Sequence, residues 1–212
     1  ITAIPNGVDT SRLEIEVDIN EVERKYGISS NDKIVLSVGR LTSQKGFQYL
    51  IRAFPLILSK HPSARLVIVG DGWMRGELER IAIETGVRNR VVFTGFIPDK
   101  DLVALLKRAD VIVVPSVYEP FGITALEGMS LGKPIVASRI GGLAEIIQHE
   151  VNGVHVFPGD PSSIAWGVNR VLEDPDFARR IGESARKIVK TKYEWNIIAE
   201  KTIEVYRKAL GW

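Results

Sequence analysis

The sequence predicts an α/β fold, a parallel sheet of about six strands with helices on both faces. Three observations carry this expectation. Six short runs rich in Val and Ile recur along the chain, bounded by Gly, Pro, Ser or Asp. Amphipathic stretches of helical period separate them. Strands joined by such helices run parallel through right-handed crossovers, which cover both faces of the sheet.

Taken in order, KIVLSVG (33–39) is the first buried strand, and residues 46–60 form a helix with Phe47, Leu50, Ile51, Phe54 and Ile57 on its apolar face. ARLVIVG (64–70) is the second strand, with a helix over about 74–84. VVFTG (91–95) is the third and leads to a short helix near 100–107. DVIVVPS (110–116) is the fourth, and the helix after it carries Glu127. PIVAS (134–138) is the fifth, followed by a short helix near 143–149; GVHVF (153–157) is the sixth, and the remainder reads as helical. The last segment, 194–210, sets Trp195, Ile198, Thr202, Tyr206 and Leu210 at helical spacing, a stripe expected to pack on a neighbour.

Composition narrows the function classes. At 212 residues, 45% hydrophobic and 25% charged, the chain can bury a real core as an ordinary globular protein. A net charge of +2 argues against a dedicated nucleic-acid binder. There is no Cys, which removes disulfides and thiolate metal sites, and His61, His149 and His155 lack metal-ligand spacing. No signal peptide or bilayer-length apolar run is present, so a cytoplasmic location is expected. The chain begins with Ile1 rather than Met, as though in mid-protein.

Ligands of such sheets bind beyond the carboxyl ends of the strands. The residues there are Gly39-Arg40, Gly70-Asp71-Gly72, Gly95-Phe96-Ile97, 115–121 and 138–142. Any one glycine could be an ordinary turn, but glycines gathered on one edge suit close approach of backbone to a ligand. Two phosphate-binding schemes fail. GRLTSQKG (39–46) has its Lys before the second Gly, unlike a P-loop. GDGWMRG (70–76) has Arg75 where a dinucleotide fingerprint needs Gly, and the next strand ends in Gly95 rather than an acid.

A third scheme combines a helix N-terminus with cations. The turn EPFG leads into ITALEGMSL, whose free N–H groups would attract an anion, and Arg40 and Lys45 follow the first strand. Alternatively Arg40 pairs with a loop acid and Lys45 is solvated. If the helix starts near Gly122, Glu127 lies roughly 7 Å further along its axis. From there it can accept hydrogen bonds from a ribose, while Glu119 reaches hydroxyls on the other side of the phosphates. Two acceptors flanking an anion site suit a nucleotide sugar.

The stretch PSVYEPFGITALEGMSLGKPIVAS, with the GG at 141–142, resembles the signature of GT-B glycosyltransferases of the group 1 type (family 4, with the related glycogen and starch synthases). Their E-x7-E frame matches Glu119 and Glu127. IPNGVD (4–9), VGRLTSQKG (38–46) and VNGVHVFPGDP (151–161) agree in order and spacing, so the similarity spans nearly the whole chain.

The resemblance implies one half of a GT-B fold, a Rossmann-like domain over 1–192. Residues 1–16 would arrive from a missing N-terminal domain, and a helix over 193–212 would cross back to it. It implies the donor-binding half of a retaining transferase, moving a hexosyl group from UDP-, ADP- or GDP-hexose to an acceptor held by the other half. Such a half alone would be inactive. Arg40 and Lys45 would stabilise the departing diphosphate, with no metal or cofactor, and Glu119 would orient the donor sugar. Gly39 would let the backbone approach. Phe121, Gly122, Ile123 and Thr124 would offer N–H groups to sugar and phosphate, and Glu127 would hold the ribose. Ile97 would meet the base edge, with Phe96 and Asp99 nearby, and Gly70 and Gly72 would line the same cleft. No nucleic-acid partner is implied, and no membrane contact is indicated in this half.

One departure concerns GGLAEII, where the family often places Pro before the acid; GGL is also similar to glycogen synthases. A glucan-chain synthase is therefore the first alternative, although VNGVHVFPGDP favours family 4. A GT-B epimerase fits the E-x7-E frame poorly, whereas a non-catalytic nucleotide-sugar-binding module would need the same residues.

Overall fold

Alternation of side chains along the strands decides the layering of this protein, described over residues 2–211 by a computed structural model. Six strands, β1 (Lys33–Val38), β2 (Ala64–Val69), β3 (Val91–Gly95), β4 (Val111–Val114), β5 (Ile135–Ser138) and β6 (Val154–Val156), form one sheet in the order β3-β2-β1-β4-β5-β6. Every neighbouring pair is parallel. In β1, Val35 points into one hydrophobic layer while Ile34 and Leu36 point into the other. Both layers are apolar, so the strands read as continuous rather than alternating hydrophobic runs.

The first layer is covered by α2 (Phe47–Lys60), α3 (Arg75–Glu84) and α7 (Pro161–Glu173). The second is covered by α1 (Ile19–Tyr26), α4 (Asp99–Arg108), α5 (Ile123–Ser130) and α6 (Gly141–Ile146). The long helix α8 (Pro175–Lys192) serves both, with Phe177 and Ile181 in one layer and Ala185 and Val189 in the other. Pro175 at its start lets Asp174 cap it, which divides the C-terminal helical region into α7 and α8.

Six strands and the expected helices therefore stand close to where hydrophobic period placed them, the short helix expected near 143–149 lying earlier at Gly141–Ile146. Two features differ. Helix α1 lies in a segment with no strong apolar run; the Asp18 side chain accepts from Asn20 and Glu21 N–H, and Gly27 ends the helix in the left-handed conformation. The C-terminal helix α9 (Trp195–Leu210) forms, but most of its stripe stays open beyond its first turn. Ile198 is buried, whereas Trp195, Tyr206 and Leu210 are 51%, 64% and 64% exposed.

Strand order reverses between β1 and β4, whose outward connections lead to opposite sides. The loops leaving their carboxyl ends flank the crevice where open α/β sheets bind ligands.

Candidate active site

Close backbone approach builds this edge of the molecule. Gly46 has φ +72, and a Cβ there would stand 1.9 Å from the Pro115 carbonyl oxygen, so only glycine lets the β1–α2 loop lie on the end of β4. The Gln44 carbonyl accepts from the N–H groups of Val117 and Tyr118 at 2.8 and 3.3 Å. These contacts join segments 74 residues apart in sequence and bring the Lys45 ammonium 2.6 Å from Glu119 Oε2. Ser116 Oγ donates to the same oxygen at 3.1 Å. Glu119 is buried, and two donors hold it in one orientation.

The GG of GGLAEII has a local role. A Cβ on Gly141 would meet the Glu119 carbonyl oxygen at 2.1 Å, and one on Gly142 would meet that of Phe121 at 2.3 Å. Gly142 N–H donates to the Glu119 carbonyl at 3.1 Å. The β5–α6 turn thus supports the EPFG turn from beneath. Gly122 caps α5 with φ 114 and no side chain bonds into that helix end, so its first-turn N–H groups face outward uncapped.

Across the crevice, Gly39 N–H donates to the Val69 carbonyl and Gly70 N–H to the Gly95 carbonyl, each at 2.9 Å. A Cβ on Gly70 would stand 2.0 Å from the Gly39 carbonyl oxygen, and one on Gly72 would stand 2.5 Å from that of Leu41. Arg40, between these backbones, is exposed and forms no ion pair with the described residues. The alternative of a paired Arg40 and a solvated Lys45 is thus reversed, because Lys45 takes the loop acid. Phe96 is 89% exposed on the rim and Ile97 is buried behind it. Ile123 is exposed and Thr124 half-buried at the start of α5, and Phe121 packs edge-on to Tyr193.

Glu127 is placed where the helix register puts it, buried one turn beyond the N-terminus of α5. It is not alone there. Arg12, on a short 3-10 turn (Ser11–Leu13), donates from Nη2 to Glu127 Oε1. Arg12 Nη1 also stands 3.8 Å from Asp99 Oδ2 at the start of α4. Burial pushes the Glu127 carboxyl above its ordinary range, Arg12 opposes that, and Asp99 adds to it. Sequence reasoning missed Arg12, since 115 positions separate it from Glu127 and no periodicity relates them. Its position just after IPNGVD was the only available signal.

Among the described residues no group of three or more His, Asp or Glu side chains converges to hold a metal. A cavity of about 760 Å³ lies off β6, lined by residues including Trp166, His149 and Phe157, and none of the expected site residues line it. The edge described above, with its cations, carboxylates and uncapped helix end, is therefore the candidate site on chemical grounds.

Fold and site together define a Rossmann-like α/β domain of the GT-B type, with the candidate site at its topological switch point. The chain belongs to the glycosyl transferases group 1 family, whose model matches residues 18–188. It is 50% identical over 213 residues to a glycosyltransferase of Methanocaldococcus jannaschii described as uncharacterized, covering 99% of this chain and 54% of that protein. It is 36% identical to a glycogen synthase of Mycobacterium tuberculosis, covering 99% of this chain and 49% of that protein. The crystal structure of Anabaena HepE in complex with UDP and glucose superposes with a TM-score of 0.87 at 29% identity, over 97% of this chain and 56% of that one. The chain thus spans about half the length of the relatives it matches.

Proposed function

We propose that this chain is the nucleotide-sugar-binding half of a retaining glycosyltransferase that moves a hexosyl group from a nucleoside-diphosphate sugar to an acceptor. The observation that carries the reading is the Lys45–Glu119 contact of 2.6 Å beside an uncapped helix end and an exposed Arg40. A diphosphate needs cations and N–H donors, and a sugar needs fixed acceptors; both sets meet on one edge. The UDP and glucose in the Anabaena protein support a donor of this class.

In the proposed reaction the bond from the sugar C1 to the phosphate oxygen breaks, and its electron pair stays on the diphosphate. Arg40 and Lys45 stabilise the growing negative charge without a metal. The acceptor hydroxyl attacks from the same face, and its proton passes to the departing phosphate oxygen. Glu119, oriented by Lys45 and Ser116, positions the sugar hydroxyls and is not assigned as a nucleophile. Glu127 accepts from the ribose. Backbone at Gly39, Gly70, Gly72, Phe121, Gly122, Ile123 and Thr124 lines the donor, with Phe96, Ile97 and Asp99 on the base side. Residues 1–16 and 193–212 connect to an N-terminal domain that holds the acceptor, and the exposed face of α9 suits that role. A second reading, a glucan-chain synthase, is favoured by the similarity to a glycogen synthase.

Calorimetric titration with UDP, ADP and GDP, with and without a chelator, tests the site. One nucleotide is expected to bind regardless of metal, and Arg40→Ala and Glu127→Ala should each weaken it about tenfold or more. Full-affinity binding by both variants would overturn the assignment.

A further inference from the structure

The contact between Arg12 and Glu127 extends the donor site into a segment of the chain that no strand end or motif assigns to it. Glu127 Oε1 accepts from Arg12, while Oε2 makes no hydrogen bond with the described residues and is not sealed from solvent. The carboxylate is therefore half used. One oxygen is taken by a guanidinium, and the other remains an acceptor for a ligand hydroxyl. The Arg12 side chain is 36% exposed and that of Glu127 10%, so the contact lies at the edge of the buried layer.

Arg12 is itself held in place. Leu13 beside it is buried in the second hydrophobic layer. Val8 N–H donates to the Tyr193 carbonyl at 2.7 Å, and Thr10 Oγ1 donates to Glu194 Oε1 at 3.3 Å. The guanidinium thus sits on an anchored turn. Its second nitrogen faces Asp99, on the loop side where the base is expected.

We propose that Arg12 is a positioning residue for the ribose, acting through Glu127: it fixes the orientation of the carboxylate, so that Oε2 accepts the ribose hydroxyls. This inference rests on the reading of Glu127 as the ribose acceptor. Without Arg12, burial acts on Glu127 unopposed while the Asp99 charge adds to it, and these two are the charged groups that act on the carboxyl. A protonated, unheld Glu127 is a poorer acceptor and has no fixed direction.

The test compares the nucleoside diphosphate that binds this chain best, among UDP, ADP and GDP, with its 2′,3′-dideoxy analogue. The ratio of the two affinities isolates the ribose contact and cancels phosphate titration, which both ligands share. In the unaltered chain the ribo form is expected to bind about tenfold or more tightly. Arg12→Ala should lower the ratio severalfold or more, and the loss should shrink as pH rises, because burial then raises the Glu127 pKa unopposed. Arg12→Lys should retain part of the preference, and melting curves confirm that each variant is folded.

An unchanged ratio in Arg12→Ala, with a collapsed ratio in Glu127→Gln, overturns the role of Arg12 alone. An unchanged ratio in Glu127→Gln, or no binding by any of the three nucleotides, overturns the underlying ribose reading as well. Tighter binding by Arg12→Ala would mean that Arg12 blocks the site, and that also overturns the proposal.

Discussion

Glu127 sits between opposing influences, and their balance has a measurable sign. Burial is the largest and raises its pKa; Arg12 lowers it and Asp99 raises it further, so the net direction is upward. The folded protein therefore holds a proton on Glu127 at pH values where the unfolded chain has released it. Stability from this group is present at low pH and is lost as pH rises from the ordinary carboxylate range through the raised folded value. Glu127→Gln removes that dependence. The melting temperature of Glu127→Gln relative to the unaltered chain should climb as pH rises above the ordinary carboxylate range, and a pH-independent difference would refute the balance. Glu119, equally buried, differs in kind because Lys45 and Ser116 both donate to the same oxygen.

At the scale of elements, α5 carries Glu127 to the sheet because Gly128 lets it settle there. A Cβ on Gly128 would stand 2.6 Å from Ile112 Cδ1 and 2.8 Å from Ile135 Cδ1, on the two strands below. Alanine there gains helix propensity but forces the helix outward. Gly128→Ala is expected to destabilise by about 1–3 kcal/mol despite that gain, read from denaturant midpoints. Gly76→Ala on α3 is the matched comparison. Nothing lies within 4 Å of its Cβ, so it should be neutral or stabilising. Equal stability of the two variants would contradict the close fit of α5. The turns that shape the crevice follow the same logic, since Gly46 and Gly70 each leave room for a carbonyl oxygen and each has positive φ.

For the whole molecule, the segment around Val8 and the start of α9 run side by side, joined by the Val8–Glu194 bridge, with the Trp195 ring within 2.6 Å of where a Gly7 Cβ would stand. No described helix is long and apolar enough to cross a membrane. On the proposed reading, the donor edge and the acceptor belong to different halves of the protein, and proximity of the two substrates is what one half lacks. The chain by itself should transfer no sugar when incubated with its nucleotide-sugar donor and candidate acceptors. Product formation without a partner domain, seen by chromatography, would sink the half-enzyme reading.

Much was legible from the residues in order. The period of Val and Ile runs predicted the six strands, and local turn chemistry predicted EPFG followed by a helix with Glu127 one turn in. Arg40, Lys45, Glu119 and Glu127 were singled out as candidates this way because each lies within a few residues of a strand or helix end. Helix α1 escaped notice because capping at Asp18 and Gly27, rather than an apolar run, delimits it. What only the tertiary structure decided are the pairings across the sheet: Lys45 with Glu119, and Arg12 with Glu127 and Asp99. Hydrophobic period and turn residues act over a few positions and are written in the sequence. Charge pairing acts through space between positions 74 and 115 apart, and only the folded chain brings those positions together.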